Sequence, residues 1–221
     1  MRELRRVLHG SLVLCLLLGL PAAWVLPVAV AWENGWLENL QLALLLAAAA
    51  VAWRFARAHR GADAALARAV TPLWLILAAR ECSWGASVLT DPVDTLWWGP
   101  VYSSSMLFYK PVVYPLVAAV LLACVVSVAW GRVWPLLEEL VASTPFVWAE
   151  LTLVLVSLLM AAYAEGHVPG LPLPATLGHG ALVLEEWLES VAYVALVVAQ
   201  WHLFALMRAR TLQPAAAKQL P

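Results

Sequence analysis

The chain has 221 residues, of which 64% are hydrophobic and only 12% charged, and its mean hydropathy is +0.84. Soluble domains carry roughly 25% charged residues, so half that density excludes an ordinary soluble domain and points to lipid as the solvent. A net charge of −1 gives no basis for a nucleic-acid partner or for adhesion to an anionic surface.

The three cysteines, Cys15, Cys82 and Cys124, lie in apolar runs without a CxxC pair, which reads as free thiols filling space. Arg2, Arg5 and Arg6 open the chain, and an apolar run follows from Ser11 to about Ala31. The run continues past Pro21-Ala22-Ala23 without a clean A-x-A site, so it reads as an uncleaved first span and not as a signal peptide. A polar connector, Trp32–Gln41, leads into a second span over about 39–53. Arg54, Arg57, His59, Arg60, Asp63 and Arg68 make a polar turn before a third span over about 69–89.

Thr90–Lys110 shows turn signals at Asp91-Pro92 and Gly99-Pro100, with Trp97, Trp98, Tyr102, Phe108 and Tyr109 suited to an interfacial or re-entrant loop. The fourth span covers about 111–130. Gly131–Thr144 reads as a short surface helix, 145–164 as the fifth span, Glu165–Gly178 as a Pro/Gly-rich loop, and 179–207 as the sixth span.

These spans of about 20 residues match the hydrocarbon thickness, and lipid leaves the backbone of such a span no option but the helix. The expected fold is therefore all-α, a polytopic membrane bundle of six transmembrane helices forming a single domain over 1–221. Placing both termini in the cytosol puts Arg2, Arg5, Arg6, Arg54, Arg57, Arg60, Arg68, Arg132, Arg208, Arg210 and Lys218 on the inner side. That satisfies the positive-inside rule on every loop and leaves only Arg80 and Lys110 elsewhere.

The stretch Arg80-Glu81-Cys82-Ser83-Trp84-Gly85 stands out within this frame. A charge inside a span costs roughly 2.5–3.5 kcal/mol on insertion scales, so Arg80 and Glu81 need partners. Glu185, Glu186 and Glu189 supply them from one face of the last helix, at i,i+4 and i,i+3 spacing. Arg80 falls a little past the midplane by helix rise, and losing it should destabilise the bundle strongly, by about 3–5 kcal/mol.

Four carboxylates against one arginine leave three resolutions. Some carboxylates are protonated, a cation joins them, or Arg80, Lys110 and His179 share the charge. A hard divalent cation is the metal these ligands would suit, with Glu81, Glu185, Glu186, Glu189 and His179 as candidate ligands. The Glu-x-x-His pairs of a di-iron bundle are missing, as are GxSxG, Walker and HExxH motifs. Glu150 stands alone in the fifth span, with Arg132 or a water as partner, and His202 lacks a second in-span histidine for haem.

Three segments resemble a group of bacterial six-span integral membrane proteins to which no activity is assigned. Glu33-Asn34-Gly35-Trp36-Leu37-Glu38 resembles the group's E-D-G-x-x-E before the second span. Arg80-Glu81-Cys82-Ser83-Trp84-Gly85 resembles its G-E-E-I-S-W-G-Q, with Arg80 in place of the first Glu and Ala86 in place of Gln. Leu184-Glu185-Glu186-Trp187-Leu188-Glu189 is similar to its acidic last-helix motif.

The resemblance implies a bacterial inner-membrane location and a shared site built from these segments. By position the acids lie on the side of the midplane that carries Glu33, Glu38, Asp91, Asp94 and Glu165, so the cluster is expected to open outward, with Glu33, Glu38, Trp84 and Lys110 as access and lid residues. The functional expectation is proton- or cation-coupled transport or permeation, in a homo-oligomer or a larger membrane complex. The alternatives are a membrane-embedded, metal-assisted enzyme acting on a lipid-linked substrate, and an accessory subunit in which the cluster only locks helices together.

Overall fold

The computed structural model describes residues 2–96, 99–131, 133–142, 147–168 and 177–217. α1 (Arg2–Leu17) and α2 (Gly19–Val25) meet at a bend of 45°. Pro21 has no N–H to offer the carbonyl of Leu17, which removes a helix hydrogen bond at that bend. A 3-10 turn over Val28–Ala31 leads into α3 (Trp36–Ala58), and a two-residue link joins it to α4 (Gly61–Glu81). The short α5 (Ala86–Leu89), the strands β1 (Asp94–Leu96) and β2 (Gly99–Val101), α6 (Lys110–Trp130), α7 (Val133–Ala142), α8 (Trp148–Ala164) and the long α9 (Gly180–Ala217) follow.

Contacts along α9 fix the helix directions. α3 runs parallel to it: Gln41 meets Glu186 and Ser190, Ala48 meets Gln200, and the Phe55 ring stacks on Phe204 at 4.0 Å. α4 runs antiparallel, with Glu81 on Tyr193, Trp74 on Gln200 and Asp63 on Arg210. α8 and α1 are antiparallel too, through Glu150 on His202 and Trp187 on the Cys15 carbonyl. α6 pairs with α4, Cys124 against Ala69 and Gly131 against Ala65.

The result is an up-down bundle around α9. Arg5, Arg57, Arg60 and Arg210 gather at one end, while Glu33, Glu38, Glu81 and Glu185 gather at the other. Alanine keeps the central helices close: Ala48, Ala49, Ala52 and Ala56 of α3 lie against Ala65 and Ala67 of α4 in the core.

Among the described residues four helices are long and apolar enough to cross a membrane, or five if the bent pair α1–α2 counts as one span. The chain is thus an all-helical bundle of membrane character, with one small hairpin. Several expected boundaries are corrected. The first run is not one helix over 11–31: it starts at Arg2, bends at Leu18 and is α-helical only to Val25, with Val28–Ala31 in the 3-10 turn before α3. The second is longer than 39–53, and the sixth runs past 207 to Ala217. The third does not continue to 89. It starts eight residues early, at Gly61, and stops at Glu81 because Ser83, Trp84 and Gly85 take positive φ values of 47°, 60° and 97°.

α6 matches 111–130 to one residue. α8 has 17 residues, short for a full crossing, and residues 145 and 146 of the expected fifth span lie outside the described set. α7 is the expected short helix, but Val133, Leu136 and Leu140 bury one face of it in the core. Trp97, Trp98, Arg132 and Lys218 lie outside the described residues.

Candidate functional site

Starting α4 at Gly61 relocates the central stretch. Arg80 stands nineteen residues along, about 28 Å by helix rise, so it marks the far end of the crossing and not the midplane. Its side chain is 56% exposed, and its Nη2 lies 3.2 Å from Oε1 of Glu189, whose side chain is 12% exposed. Glu81, on the inward face, accepts a hydrogen bond from the Tyr193 hydroxyl at 2.6 Å. Gln41 of α3 donates to Glu186 Oε2 at 3.1 Å, to the Glu186 carbonyl at 3.0 Å and to Ser190 Oγ at 3.0 Å. Its own Oε1 is buried and receives no hydrogen bond among the described residues.

Glu185 lies on the same turn of α9, partly exposed, and makes no hydrogen bond or ion pair among the described residues. His179 is exposed, one residue ahead of α9. Among the described residues no three His, Cys, Asp or Glu side chains are arranged to hold a metal ion, so the acids meet through hydrogen bonds and Arg80 and not as a ligand cage.

The four residues expected to control access have specific attachments. Glu38, in the first turn of α3, reaches back past the N-cap Gly35 to the Asn34 N–H. Glu33 Oε2 accepts from the Tyr102 N–H at 2.5 Å, which ties the α2–α3 connector to the loop after β2. Trp32 reinforces that tie: Gly99, at φ 126°, leaves no room for a Cβ, which would fall 2.6 Å from the indole. The Trp84 carbonyl accepts from the Tyr109 hydroxyl at 2.8 Å. Lys110 Nζ donates to Ser104 Oγ at 2.6 Å and lies 5.9 Å and 4.9 Å from the ring centroids of Trp84 and Tyr114. These side chains fasten the outer loops to the helix ends.

A second cluster lies at the basic end, and the sequence reading missed it. Glu150 of α8 is fully buried. Arg5 Nη2 lies 3.5 Å from its Oε2, while His9 Nε2 and His202 Nδ1 lie 2.9 Å and 3.1 Å from its Oε1. The His9 approach is close without being aligned as a hydrogen bond. Arg5 and His9 are i,i+4 neighbours, so one face of α1 presents both. That spacing was the signal available in the sequence, hidden because residues 1–10 read as a cytosolic flank and not as helix.

Between the clusters α9 carries six apolar residues in succession, Val194 to Ala199. Gln200 follows, accepting from Trp74 Nε1 at 2.5 Å and donating to the Ala48 carbonyl at 3.1 Å. Comparison with known proteins finds no family model, no curated protein and no solved structure that matches the chain.

Proposed function

We propose that this chain is a six-span bacterial inner-membrane protein, with both termini cytosolic, that couples proton or cation uptake at its outer acids to transport or permeation. The observation that carries the reading is the excess of acceptors at the outer end of the bundle. Glu81, Glu185, Glu186, Glu189 and Gln41 Oε1, without a donor among the described residues, lie there with one half-exposed guanidinium, which pairs with Glu189. Carboxylates crowded in this way take up protons or attract cations, and intramembrane acids at bundle interiors mark such pathways. The helix that holds Glu185, Glu186 and Glu189 also holds His202 beside Glu150 at the opposite end, so α9 connects two titratable groups across an apolar layer. The pathway in this reading belongs to a homo-oligomer or a larger membrane complex.

The test is proton flux in proteoliposomes under an imposed potassium diffusion potential, read with an internal pH dye. Potential-driven flux that falls at least about tenfold in Glu189→Gln, as expected when a positioned proton-transfer group is lost, sustains the reading. Wild-type vesicles indistinguishable from empty ones refute it. Topology is checked by reporter fusions after Arg60, Trp98, Arg132 and Gly170, which should read in, out, in, out.

A second reading, an accessory subunit braced by these contacts, is favoured by one feature. Glu81, Glu150, Glu186 and Glu189 each have a partner on another helix of the same chain. Wild-type protein that carries no flux, together with a Glu189→Gln variant that fails only to assemble, would select it. Stoichiometric bound metal lost in Glu186→Gln would select the membrane-embedded enzyme.

A further inference from the structure

Starting α4 at Gly61 has a second effect: it draws Arg68 into the helix, seven residues and about 10 Å from its start. Arg68 is exposed, and among the described residues it has no hydrogen bond, ion pair or ring contact. A guanidinium so placed in an apolar helix is costly unless an anion meets it. Here it stands over a groove between α3 and α4 of about 610 Å³, with Leu46, Ala49, Ala50 and Trp53 on one wall and Thr71, Pro72 and Leu75 on the other. The Thr71 hydroxyl is committed to the Ala67 carbonyl at 2.9 Å. The free donors at the head of the groove are therefore Arg68 and the indole N–H of the half-exposed Trp53. Arg57 follows one turn beyond Trp53 on the same face of α3, also exposed.

We propose that this groove is a binding site for an anionic phospholipid of the leaflet at the basic end of the bundle. The Arg68 guanidinium snorkels toward the helix ends and takes the phosphate, with two parallel N–H donors available for its oxygens. Trp53 donates at the glycerol level, and Arg57 meets an anionic headgroup outside it. The acyl chain lies along Leu46, Ala49, Ala50, Pro72 and Leu75, where the alanines and the proline leave the space between the two helices open. Basic pockets between helices on the cytoplasmic side are suited to such lipids. An acidic helix of a second copy fits less well: of the exposed acids described at this end, Glu3 pairs with Arg6 and Glu139 with Arg210, and Glu138 lies on the short α7.

Native mass spectrometry of the detergent-solubilised full chain tests the site, with phosphatidylglycerol and phosphatidylcholine of the same acyl chains as probes. The wild type should retain phosphatidylglycerol over phosphatidylcholine by about fivefold, the scale of one basic residue at an anionic surface. Arg68→Gln should abolish that preference, and Arg60→Gln, in the α3–α4 link, should keep it. Leu75→Trp fills the groove and leaves the cation in place, so it should lose the lipid while circular dichroism still reports the folded bundle. Equal retention of both lipids by the wild type, or an unchanged preference in folded Arg68→Gln, overturns the proposal. So does displacement of the lipid by millimolar inorganic phosphate, which would make this a small-anion site, or a dimer lost in Arg68→Gln with no lipid preference, which would give the groove to a second copy.

Discussion

The two ends of α9 solve the problem of membrane-embedded charge in opposite ways. At the basic end one carboxylate, Glu150, is fully buried and surrounded by Arg5, His9 and His202. At the acidic end Arg80 pairs with Glu189 alone, neutral donors serve Glu81 (Tyr193) and Glu186 (Gln41), and Glu185 has no hydrogen bond or ion pair among the described residues. The first arrangement is rich in donors and closed. The second is rich in acceptors and lies where α4 ends and the chain turns, with the Arg80 guanidinium half in the open. A buried, fully paired charge resists removal of any partner, whereas a group of excess acceptors responds to what arrives from outside. The contrast teaches that the structural weight lies at the basic end and the responsive chemistry at the acidic end.

Removing the inner carboxylate should have the largest effect. Glu150→Ala removes the fully buried carboxylate that Arg5, His9 and His202 approach. It should cost about 3–5 kcal/mol, read as a drop in thermal unfolding temperature in detergent. Near-wild-type stability would show that water or lipid already screens the cluster, and the comparison would fail.

A smaller loss is expected at Tyr193, which is 2% exposed. Tyr193→Phe removes the 2.6 Å donor to Glu81 while keeping the ring packed, at about 1–3 kcal/mol for an acceptor left unpaired. Restoration of stability in Glu81→Leu/Tyr193→Phe would show that the carboxylate, and not the packing, carries the effect.

Arg80→Leu should cost least, at most about 1 kcal/mol, because a half-exposed pair is screened by solvent. The larger effect expected from the sequence assumed a midplane arginine, and the position of α4 removes that premise. A loss as great as that of Glu150→Ala would mean that Arg80 is closed over in the membrane, and would erase the distinction between the two ends.

Residue chemistry alone determined a good deal here. Apolar runs of the right length, separated by polar turns, specified a helical membrane bundle, because lipid leaves the backbone no other way to bond. The i,i+3 and i,i+4 spacing of Glu185, Glu186 and Glu189 placed them on one face of one helix, and the sorting of basic and acidic residues to opposite ends followed from the turns between runs.

What the sequence left open was decided by contacts between helices. Hydropathy locates apolar residues but is blind to helix that continues through polar ones. By hydropathy Gly61–Arg68 reads as a turn and Arg2–Gly10 as a flank, although both are helical. The first error set Arg80 too deep and Arg68 at the border. The second hid Arg5 and His9, and with them the environment of Glu150. The break after Glu81 depends on left-handed backbone at Ser83 and Trp84 as well as at Gly85. Only Gly85 announces such a conformation in sequence; the other two are held there by their surroundings, with Tyr109, 25 residues away, bonding the Trp84 carbonyl. Partners 112 residues apart, such as Glu81 and Tyr193, meet because α4 and α9 pack antiparallel, and no local pattern in either helix specifies that packing.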